Sequence, residues 1–406
     1  MVLAFTFPGQ GSQRPGMGRA WVEHPSWEVV GEASEVSGRD VAYLLLDAGS
    51  EELALTANAQ LATFVSSLVV LDAIERVGLA PTLCAGHSLG EYTALAAAGA
   101  LPFADGIRLV VERGEAMHEA AVERPGTMAA VLGADDDTVE IACQRAEADV
   151  WVANYNAPGQ VVVAGDPTAV KRAGEIAKEL GARKVMPFAV SGAFHTMFMA
   201  PARGRLRKAL GDTGFLRPEV PVVANVDGRV HEGAEDWTGL LSAQLCSPVR
   251  WSQSLATLAA LGATVLVEVG PGGVLCGLAR RAQPDLQSLA VSAPEHLDEL
   301  VDQVAGTESW HAYAAAHQGE HLYTSERVVV APAAGVFEPD DACNAPGPGA
   351  PPGDGPTVAV GDCLGMVGGE DVRTPFAGKV VGFLAHAGER VVAGQPLAWL
   401  RVGGAS

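Results

Sequence analysis

Basic residues are scarce in this sequence. Its 406 residues include 27 Lys and Arg against 48 Asp and Glu, which gives a formal net charge of −21. A surface this acidic repels nucleic acid and anionic membranes. We therefore predict that neither nucleic acid nor a membrane is a partner.

Cysteine pairs and long apolar runs are also missing. The 6 cysteines include no C-x-x-C pair, so we predict no metal site and expect the reduced thiols of a cytoplasmic protein. The first residues, MVLAFTFPGQGSQ, lack the basic start and the long apolar core of a signal peptide. No apolar run reaches the ~18–20 residues that a membrane span needs.

Apolar runs typical of buried strands alternate with stretches of helical periodicity. LAFTF (3–7) and VPVVANV (220–226) are of the first kind, and residues 61–78 are of the second. This alternation favours an α/β fold with a parallel sheet covered on both faces. We assign this core to residues 1–125 and 189–292.

Residues 126–188 have a different order of predicted strands and helices. Four short apolar runs and two capped helical stretches follow one another in the order βαββαβ. This order is typical of a ferredoxin-like fold. We predict a small ferredoxin-like subdomain inserted into the α/β core.

The last part of the chain differs again. Residues 293–325 are predicted to form a helical linker. In residues 326–406, the phrases VVVAPAAGVFEP (328–339) and DVRTPFAGKVVGFL (371–384) resemble each other. Two matching halves of short strands predict a small pseudo-symmetric β barrel, interrupted in its first half by a Pro- and Gly-rich insert at 338–356.

A G-x-S-x-G motif carries the main candidate nucleophile. Ser88 lies between Gly86 and Gly90, after an apolar run and before an alanine-rich one. Such a strand–turn–helix is the nucleophile-elbow pattern, in which the serine is exposed at a helix N-terminus beside free backbone N–H groups. The neighbouring His87 is expected to point away from the serine, and Glu91 is either catalytic or, as we favour, a complement to the helix dipole.

Six motifs in order give the sequence a family resemblance over residues 1–290. The sequence resembles malonyl-CoA:acyl-carrier-protein transacylases, which have an α/β-hydrolase-like core with a ferredoxin-like insert. The motifs are FPGQGSQ (7–13), GHSLGEYTALAAAGAL (86–101), ERGEAMHEA (112–120), SGAFHTMFMAPA (191–202), QLCSPVRW (244–251) and VEVGPGGVLCGLARR (267–281).

The resemblance implies roles for the reacting groups. Ser88 would attack the thioester of malonyl-CoA, and His195 would take its proton and return one to the leaving thiol. The backbone carbonyl of Gln244 would orient the histidine in place of an acid. The backbone N–H groups of Gln10 and Leu89 would form the oxyanion hole.

Three further residues would set the acyl specificity. Arg113 lies among apolar residues in VVERGEAM (110–117), and one interpretation is a surface ion pair with Glu112 or Glu115. The resemblance favours the other, a bidentate grip on the malonyl carboxylate. Gln60 matches a position that lines the same pocket in the family. Phe194, before the histidine, resembles malonyl-type members, and its ring would crowd a branched acyl group.

The C-terminal residues 326–406 resemble a biotinyl/lipoyl-attachment domain. The modified lysine of such a domain would lie in the hairpin LGMVGGEDVRTP (364–375), which contains none; the nearest is Lys379. We therefore expect neither biotin nor lipoate, and no permanently bound cofactor.

Three functions are open at this point. The first is malonyl transfer from coenzyme A to the thiol of an acyl carrier protein, in fatty-acid or polyketide synthesis. The second is an acyl-carrier-protein hydrolase that uses the same serine with water as acceptor. The third is a carrier or scaffold protein, which the absence of a lysine from the hairpin disfavours.

Overall fold

The computed structural model of the protein describes residues 2–188, 190, 192–305, 326–340, 356–392 and 394–401. The chain divides into two compact units. One comprises Met1–Ala73 and Pro81–Gln303, and the other comprises Ile74–Ala80 and Val304–Ser406.

Strands and helices alternate through most of residues 2–305. The strands are β1 (Leu3–Phe7), β2 (Leu83–Gly86), β3 (Thr127–Leu132), β4 (Val150–Ala157), β5 (Gln160–Gly165), β6 (Lys184–Pro187), β7 (Val222–Val223), β8 (Val230–His231), β9 (Val265–Val269) and β10 (Gln287–Val291). The helices are α1 (Glu28–Ser37), α2 (Val41–Leu46), α3 (Ser50–Ala54), α4 (Thr56–Arg76), α5 (Gly90–Ala97), α6 (Phe103–Glu123), α7 (Asp136–Arg145), α8 (Pro167–Glu179), α9 (Ala200–Gly211), α10 (Asp236–Gln244), α11 (Trp251–Ala260), α12 (Val274–Ala282) and α13 (Glu295–Ala305).

A six-stranded sheet forms the centre of the first unit. Its order is β10-β9-β1-β2-β7-β8, with every pair parallel except β7 and β8. Every residue of β1 and β2 is buried, as expected for strands covered on both faces. Phe7 pairs with Gly86, so both strands end at the same edge of the sheet. The loops after β1 and β2 therefore meet there.

A second sheet is formed by the inserted residues. β3, α7, β4, β5, α8 and β6 follow in chain order, and the antiparallel sheet has the order β4-β5-β3-β6. Asn154 of β4 also bridges Val249, so the edge of this sheet is tied to the segment after α10.

Helix α4 is longer and more apolar than the sequence led us to expect of any segment of the chain. By length and composition alone it could cross a membrane, but 94% of its most apolar window is buried inside the protein. The prediction that no apolar run reaches this length is wrong, because residues such as Thr63, Ser66 and Ser67 lower the mean hydropathy of the helix too little. A core helix of a large α/β unit has the same composition.

The α/β unit extends beyond residue 292, where the sequence suggested its end. Helix α13 begins at Glu295, and its apolar residues Leu297 and Leu300 are buried. The compact unit therefore includes this helix up to Gln303. The rest of the predicted linker, 306–325, lies outside the described residues.

Short strands form the second unit. They are β11 (Glu326–Val330), β12 (Gly335–Pro339), β13 (Thr357–Val358), β14 (Cys363–Val367), β15 (Glu370–Arg373), β16 (Gly378–Phe383), β17 (Arg390–Val391) and β18 (Pro396–Arg401). Two four-stranded sheets have the orders β11-β18-β16-β13 and β15-β14-β12-β17. They enclose one apolar core that includes Phe337, Leu364 and Leu397.

The hairpin between β14 and β15 has a two-glycine turn. Gly368 and Gly369 both have positive φ, and Lys379 lies on β16 opposite Thr357. The insert begins later than the predicted residue 338, because β12 pairs with β14 up to Pro339. Residues 341–355 lie outside the described residues.

Candidate active site

Ser88 lies in the tight turn between β2 and α5. Its φ of +55° is in the left-handed region, which a residue with a side chain rarely adopts. A Cβ on Gly86 would lie 1.9 Å from the carbonyl of Gly90, and one on Gly90 would lie 2.0 Å from the carbonyl oxygen of Phe7. Both glycines are therefore required for the turn and for the packing of α5 against β1.

Asn225 holds this turn from the far side. Its Oδ1 accepts the backbone N–H of Ser88 at 2.7 Å, and its Nδ2 donates to the carbonyl of Gly86 at 2.6 Å. The residue follows β7, at the same edge of the sheet. Sequence reasoning missed it; the only signal was its position at the end of the apolar run VPVVANV.

His195 is within hydrogen-bonding distance of the serine. Its Nε2 lies 2.7 Å from Ser88 Oγ, and its Nδ1 lies 2.9 Å from the backbone carbonyl oxygen of Gln244. A carbonyl oxygen only accepts, so Nδ1 carries the proton and Nε2 presents a lone pair to the serine hydroxyl. The histidine is thus in the tautomer that a general base requires.

The environment keeps this imidazole neutral. Burial is the main cause that lowers the pKa of His195 to about 3, and the positive charge of Arg113 lowers it further. The carbonyl of Gln244 opposes this shift only in part. His195 is therefore unprotonated, and able to accept a proton, at neutral pH.

Arg113 is completely buried beside the serine. Its Nη2 donates to Ser88 Oγ at 3.1 Å and to Gln244 Oε1 at 3.0 Å, and its Nη1 donates to Gln60 Oε1. Its Nε is buried and has no hydrogen-bond partner among the described residues, and its guanidinium lies 5.4 Å from the ring centre of Tyr92. Among the residues that the structure describes, none forms an ion pair with it.

The alternative interpretation of Arg113 as a surface ion pair is wrong. Glu112 and Glu115 lie on the outer face of α6, where both pair with Arg205, at 2.5 Å and 2.9 Å. Arg113 faces inward on the same helix. A buried guanidinium surrounded by neutral acceptors is suited to receive an anion from outside.

Gln244 connects several of these groups through its side chain as well as its backbone. Its Nε2 donates to the carbonyl of Ser88 at 2.7 Å and to the carboxylate of Glu91. The sequence predicted a role only for its carbonyl group.

Glu91 is a buried acid on the first turn of α5. Its Oε1 accepts the backbone N–H of Asn225 at 2.8 Å. Burial is the main cause that raises the pKa of Glu91 to about 7, with a smaller contribution from the negative charge of Asp227. The Asn225 N–H, the Gln244 amide and the charge of Arg113 act in the opposite direction.

Gln10 and Leu89 lie on the two loops that meet at the sheet edge. A Cβ on Gly9 would lie 2.5 Å from the carbonyl oxygen of His87, so the loop after β1 runs directly against the elbow. Within the described part of the chain, no protein acceptor receives the N–H of Gln10 or of Leu89. The Gln10 side chain accepts a hydrogen bond from Gln60 Nε2 at 3.0 Å.

A cleft of about 520 Å³ opens onto Ser88 and His195. Gln10, Gln60 and Phe194 line it, and the other lining residues include the apolar Met117, Met128 and Val190. Leu89, the residue after the serine, is fully buried.

His87 also reaches the cleft, but it is directed elsewhere. Its Nε2 lies 2.9 Å from Asn156 Oδ1, and its ring packs edge-on against Trp251 at 5.5 Å. Burial lowers the pKa of His87, so it is a neutral neighbour of the serine.

Comparison with known proteins identifies the family. The model of the acyl transferase domain family matches residues 4–305. The chain belongs to this family. The acyltransferase is 41% identical to the malonyl CoA-acyl carrier protein transacylase of Bacillus subtilis over 301 residues. This match covers 73% of this chain and 95% of that protein.

Solved structures agree with this assignment. The acyltransferase is similar to the acyl-carrier-protein S-malonyltransferase of Burkholderia pseudomallei, with a TM-score of 0.72, 40% identity, and coverage of 74% of this chain and 100% of that one. It is equally similar, with a TM-score of 0.72 and 39% identity, to a malonyl transacylase solved in complex with the acyl carrier protein of a type II polyketide synthase, over 75% of this chain and 100% of that one. Both support the α/β fold of the first unit.

Proposed function

We propose that the protein is an acyl-carrier-protein S-malonyltransferase. It moves a malonyl group from coenzyme A to the phosphopantetheine thiol of an acyl carrier protein, in fatty-acid or polyketide synthesis. One observation carries this proposal: Ser88 Oγ lies 2.7 Å from Nε2 of His195 and 3.1 Å from Nη2 of the buried Arg113. The nucleophile and the base line one cleft, and the guanidinium that we assign as the carboxylate receptor is in direct contact with the nucleophile.

The first half-reaction makes an ester. Ser88 Oγ attacks the thioester carbonyl carbon while His195 Nε2 takes the hydroxyl proton. The tetrahedral intermediate collapses, the carbon–sulfur bond breaks, and the same nitrogen returns the proton to the leaving thiolate of coenzyme A. Because the Nδ1–H of His195 is held by Gln244, the ring does not have to change tautomer between these steps.

The negative charge of the intermediate falls on the former carbonyl oxygen. We assign its stabilisation to the backbone N–H groups of Gln10 and Leu89, because neither donates to a protein acceptor within the described part of the chain. Losing one such donor typically lowers kcat by ~10²–10³.

Substrate choice rests on charge and size. Arg113 binds the malonyl carboxylate through its guanidinium, and Gln60 holds the guanidinium in place. Phe194, only 7% exposed, restricts the space around the acyl α-carbon. A methyl branch at that carbon is discriminated against by about 1–3 kcal/mol.

The second half-reaction reverses the first with a different thiol. The thiol of the carrier's phosphopantetheine gives its proton to His195 Nε2 and attacks the ester carbon, and Ser88 leaves with the proton. The hydrolase alternative would place water there instead. The relatives described above are transacylases, and no feature of the cleft favours water.

The architecture supports finer assignments. The first unit is an α/β-hydrolase-like core, and residues 126–188 form its ferredoxin-like subdomain. The second unit is a flattened biotinyl/lipoyl-like barrel, and it carries neither biotin nor lipoate because its β14–β15 turn is made of two glycines. The protein acts in the cytoplasm, where coenzyme A thioesters are available.

The test is to incubate the protein with labelled malonyl-CoA, with and without a holo acyl carrier protein. We expect the label on the protein alone in the first case and on the carrier in the second. Release of labelled malonate at the same rate in both cases would support the hydrolase and contradict the transferase.

A further inference from the structure

Glu91 lies at the centre of the active-site hydrogen bonds but does not reach the cleft. It is 0% exposed, and each of its two carboxylate oxygens accepts from a different segment of the chain. Oε1 takes the backbone N–H of Asn225 at 2.8 Å, and Oε2 takes Nε2 of Gln244.

Each of these two segments holds reacting groups. Asn225 accepts the backbone N–H of Ser88 and so holds the strained elbow. Gln244 orients His195 through its carbonyl and contacts Arg113 through its side-chain oxygen. The carboxylate therefore links the supports of all three reacting side chains.

Gln244 also separates Glu91 from Arg113. The amide nitrogen faces two acceptors, Glu91 and the carbonyl of Ser88, and its oxygen faces the guanidinium. Only one orientation of the amide satisfies all three partners. Burial is the main cause that lowers the pKa of Arg113, and Tyr92 and then the negative charge of Glu91 act in the opposite direction. Among the described residues, none forms an ion pair with the guanidinium.

We propose that Glu91 is a positioning residue for malonyl recognition: it supplies a buried counter-charge for Arg113 across the Gln244 amide and leaves the guanidinium free for the carboxylate of the substrate. This inference rests on the proposed transferase function. A direct ion pair would compete with the substrate, whereas no counter-charge at all would leave a buried cation uncompensated.

A neutral isostere would break this arrangement. Both partners of Glu91 are donors, and a glutamine at this position has only one acceptor oxygen. In Glu91→Gln, the new amide N–H₂ group faces either Asn225 N–H or Gln244 Nε2. One of the two contacts is lost, and Arg113 loses its counter-charge.

The test is competitive acylation of Ser88 by malonyl-CoA and acetyl-CoA at pH 8.5, read by peptide mass. In wild-type protein, malonyl-Ser88 must predominate; if it does not form, the proposed function itself fails. We expect Glu91→Gln to lower the malonyl-to-acetyl ratio by about 10-fold. In an Arg113→Ala background, the same substitution should leave the ratio unchanged.

Glu268 offers a matched control. It is also 0% exposed, and its Oε2 accepts the N–H of Cys276 at 2.8 Å, near the start of α12. Glu268→Gln should lower stability but leave the acyl ratio at the wild-type value. An equal fall in both acylation rates for Glu91→Gln, with no change in their ratio, would reduce Glu91 to a structural role and overturn the proposal.

Glu91→Asp extends the test should the glutamine variant fail to fold. The shorter carboxylate keeps its charge but reaches one donor less well, so we expect a ratio between those of wild type and Glu91→Gln. A wild-type ratio in whichever variant folds would overturn the proposal.

Discussion

At the scale of single residues, the site combines a neutral base with a buried cation. Arg113 donates to three neutral acceptors, and its positive charge helps to keep His195 unprotonated. In the proposed mechanism, a malonyl carboxylate bound to the guanidinium would offset this charge. A substrate without a carboxylate would leave the cation uncompensated and the histidine a weaker base.

Arg113→Ala should therefore remove the preference for malonyl. We expect malonyl-CoA acylation of Ser88 to fall about 100-fold or more, because two charge-assisted hydrogen bonds are lost, with a much smaller effect on acetyl-CoA. The rate of Ser88 acylation is measured with each thioester by quenching the reaction at fixed times. Arg108→Ala is the matched control, since Arg108 lies on the same helix in an exposed pair with Asp105; an equal loss in both variants would contradict the assignment.

The protonation of His195 gives a second prediction. Its ring should stay neutral from pH 7.5 to 4.5 in an NMR titration, because burial and Arg113 lower its pKa to about 3. Its contribution to the free energy of unfolding is present above pH 6.5 and is lost as the pH falls toward 3. Arg113→Ala should raise the midpoint, and a wild-type midpoint near 6.5 would show that the ring is not buried as described.

The sequence predicted Ser88, His195 and the Gln244 carbonyl that contacts the histidine, but not the supporting contacts of Asn225 and Glu91. Ser88 and His195 lie in short sequence motifs that can be recognised without a structure. Asn225 and Glu91 act through a hydrogen bond between residues 134 positions apart. No periodicity or spacing encodes such a contact, because it arises only when β2 and β7 become neighbours in the sheet.

At the scale of elements, glycines set how closely the elbow approaches the sheet. Helix α5 packs so tightly on β1 that Gly90 has no room for a Cβ, which would meet the Phe7 carbonyl at 2.0 Å. The apolar run at 220–226 predicted a longer strand than β7, which has only two residues, Val222–Val223. The chain leaves the sheet there to bring Asn225 to the elbow.

Gly90→Ala should disrupt this packing. We expect a loss of about 3 kcal/mol or more in the free energy of unfolding, together with loss of Ser88 acylation. Gly204→Ala in α9 is the control, since a Cβ there has nothing within 4 Å and the substitution should stabilise the helix by up to about 1 kcal/mol. Denaturant unfolding compares the two; similar stabilities would contradict the close approach.

At the scale of the whole molecule, the family match covers residues 4–305, and most of the second unit lies after it. The match ends at residue 305, and the relatives are covered over nearly their whole length by this part. The second unit therefore adds a separate β domain to an acyltransferase that is complete in its relatives. The repeated segments 328–339 and 371–384 coincide with strands β11, β12, β15 and β16, whereas nothing in the sequence indicated that α13 extends the first unit to Gln303.

The second unit should be unmodified. We expect the intact mass of the protein, isolated from cells that attach biotin and lipoate, to equal the mass of its sequence, since the β14–β15 turn offers glycines in place of an amine. Mass spectrometry of the full chain measures this. An added mass of either cofactor, mapped to Lys379 or elsewhere in the unit, would contradict the prediction.

The most direct test of the central claim is to identify the residue that carries the malonyl group. The protein is mixed with malonyl-CoA, quenched in acid, digested and mapped by mass spectrometry, with Ser88→Ala and Ser12→Ala in parallel; Ser12 lines the same cleft. We predict malonyl on Ser88 in wild type and in Ser12→Ala, and none in Ser88→Ala. Malonyl on any other residue, or an unchanged yield in Ser88→Ala, would contradict the mechanism.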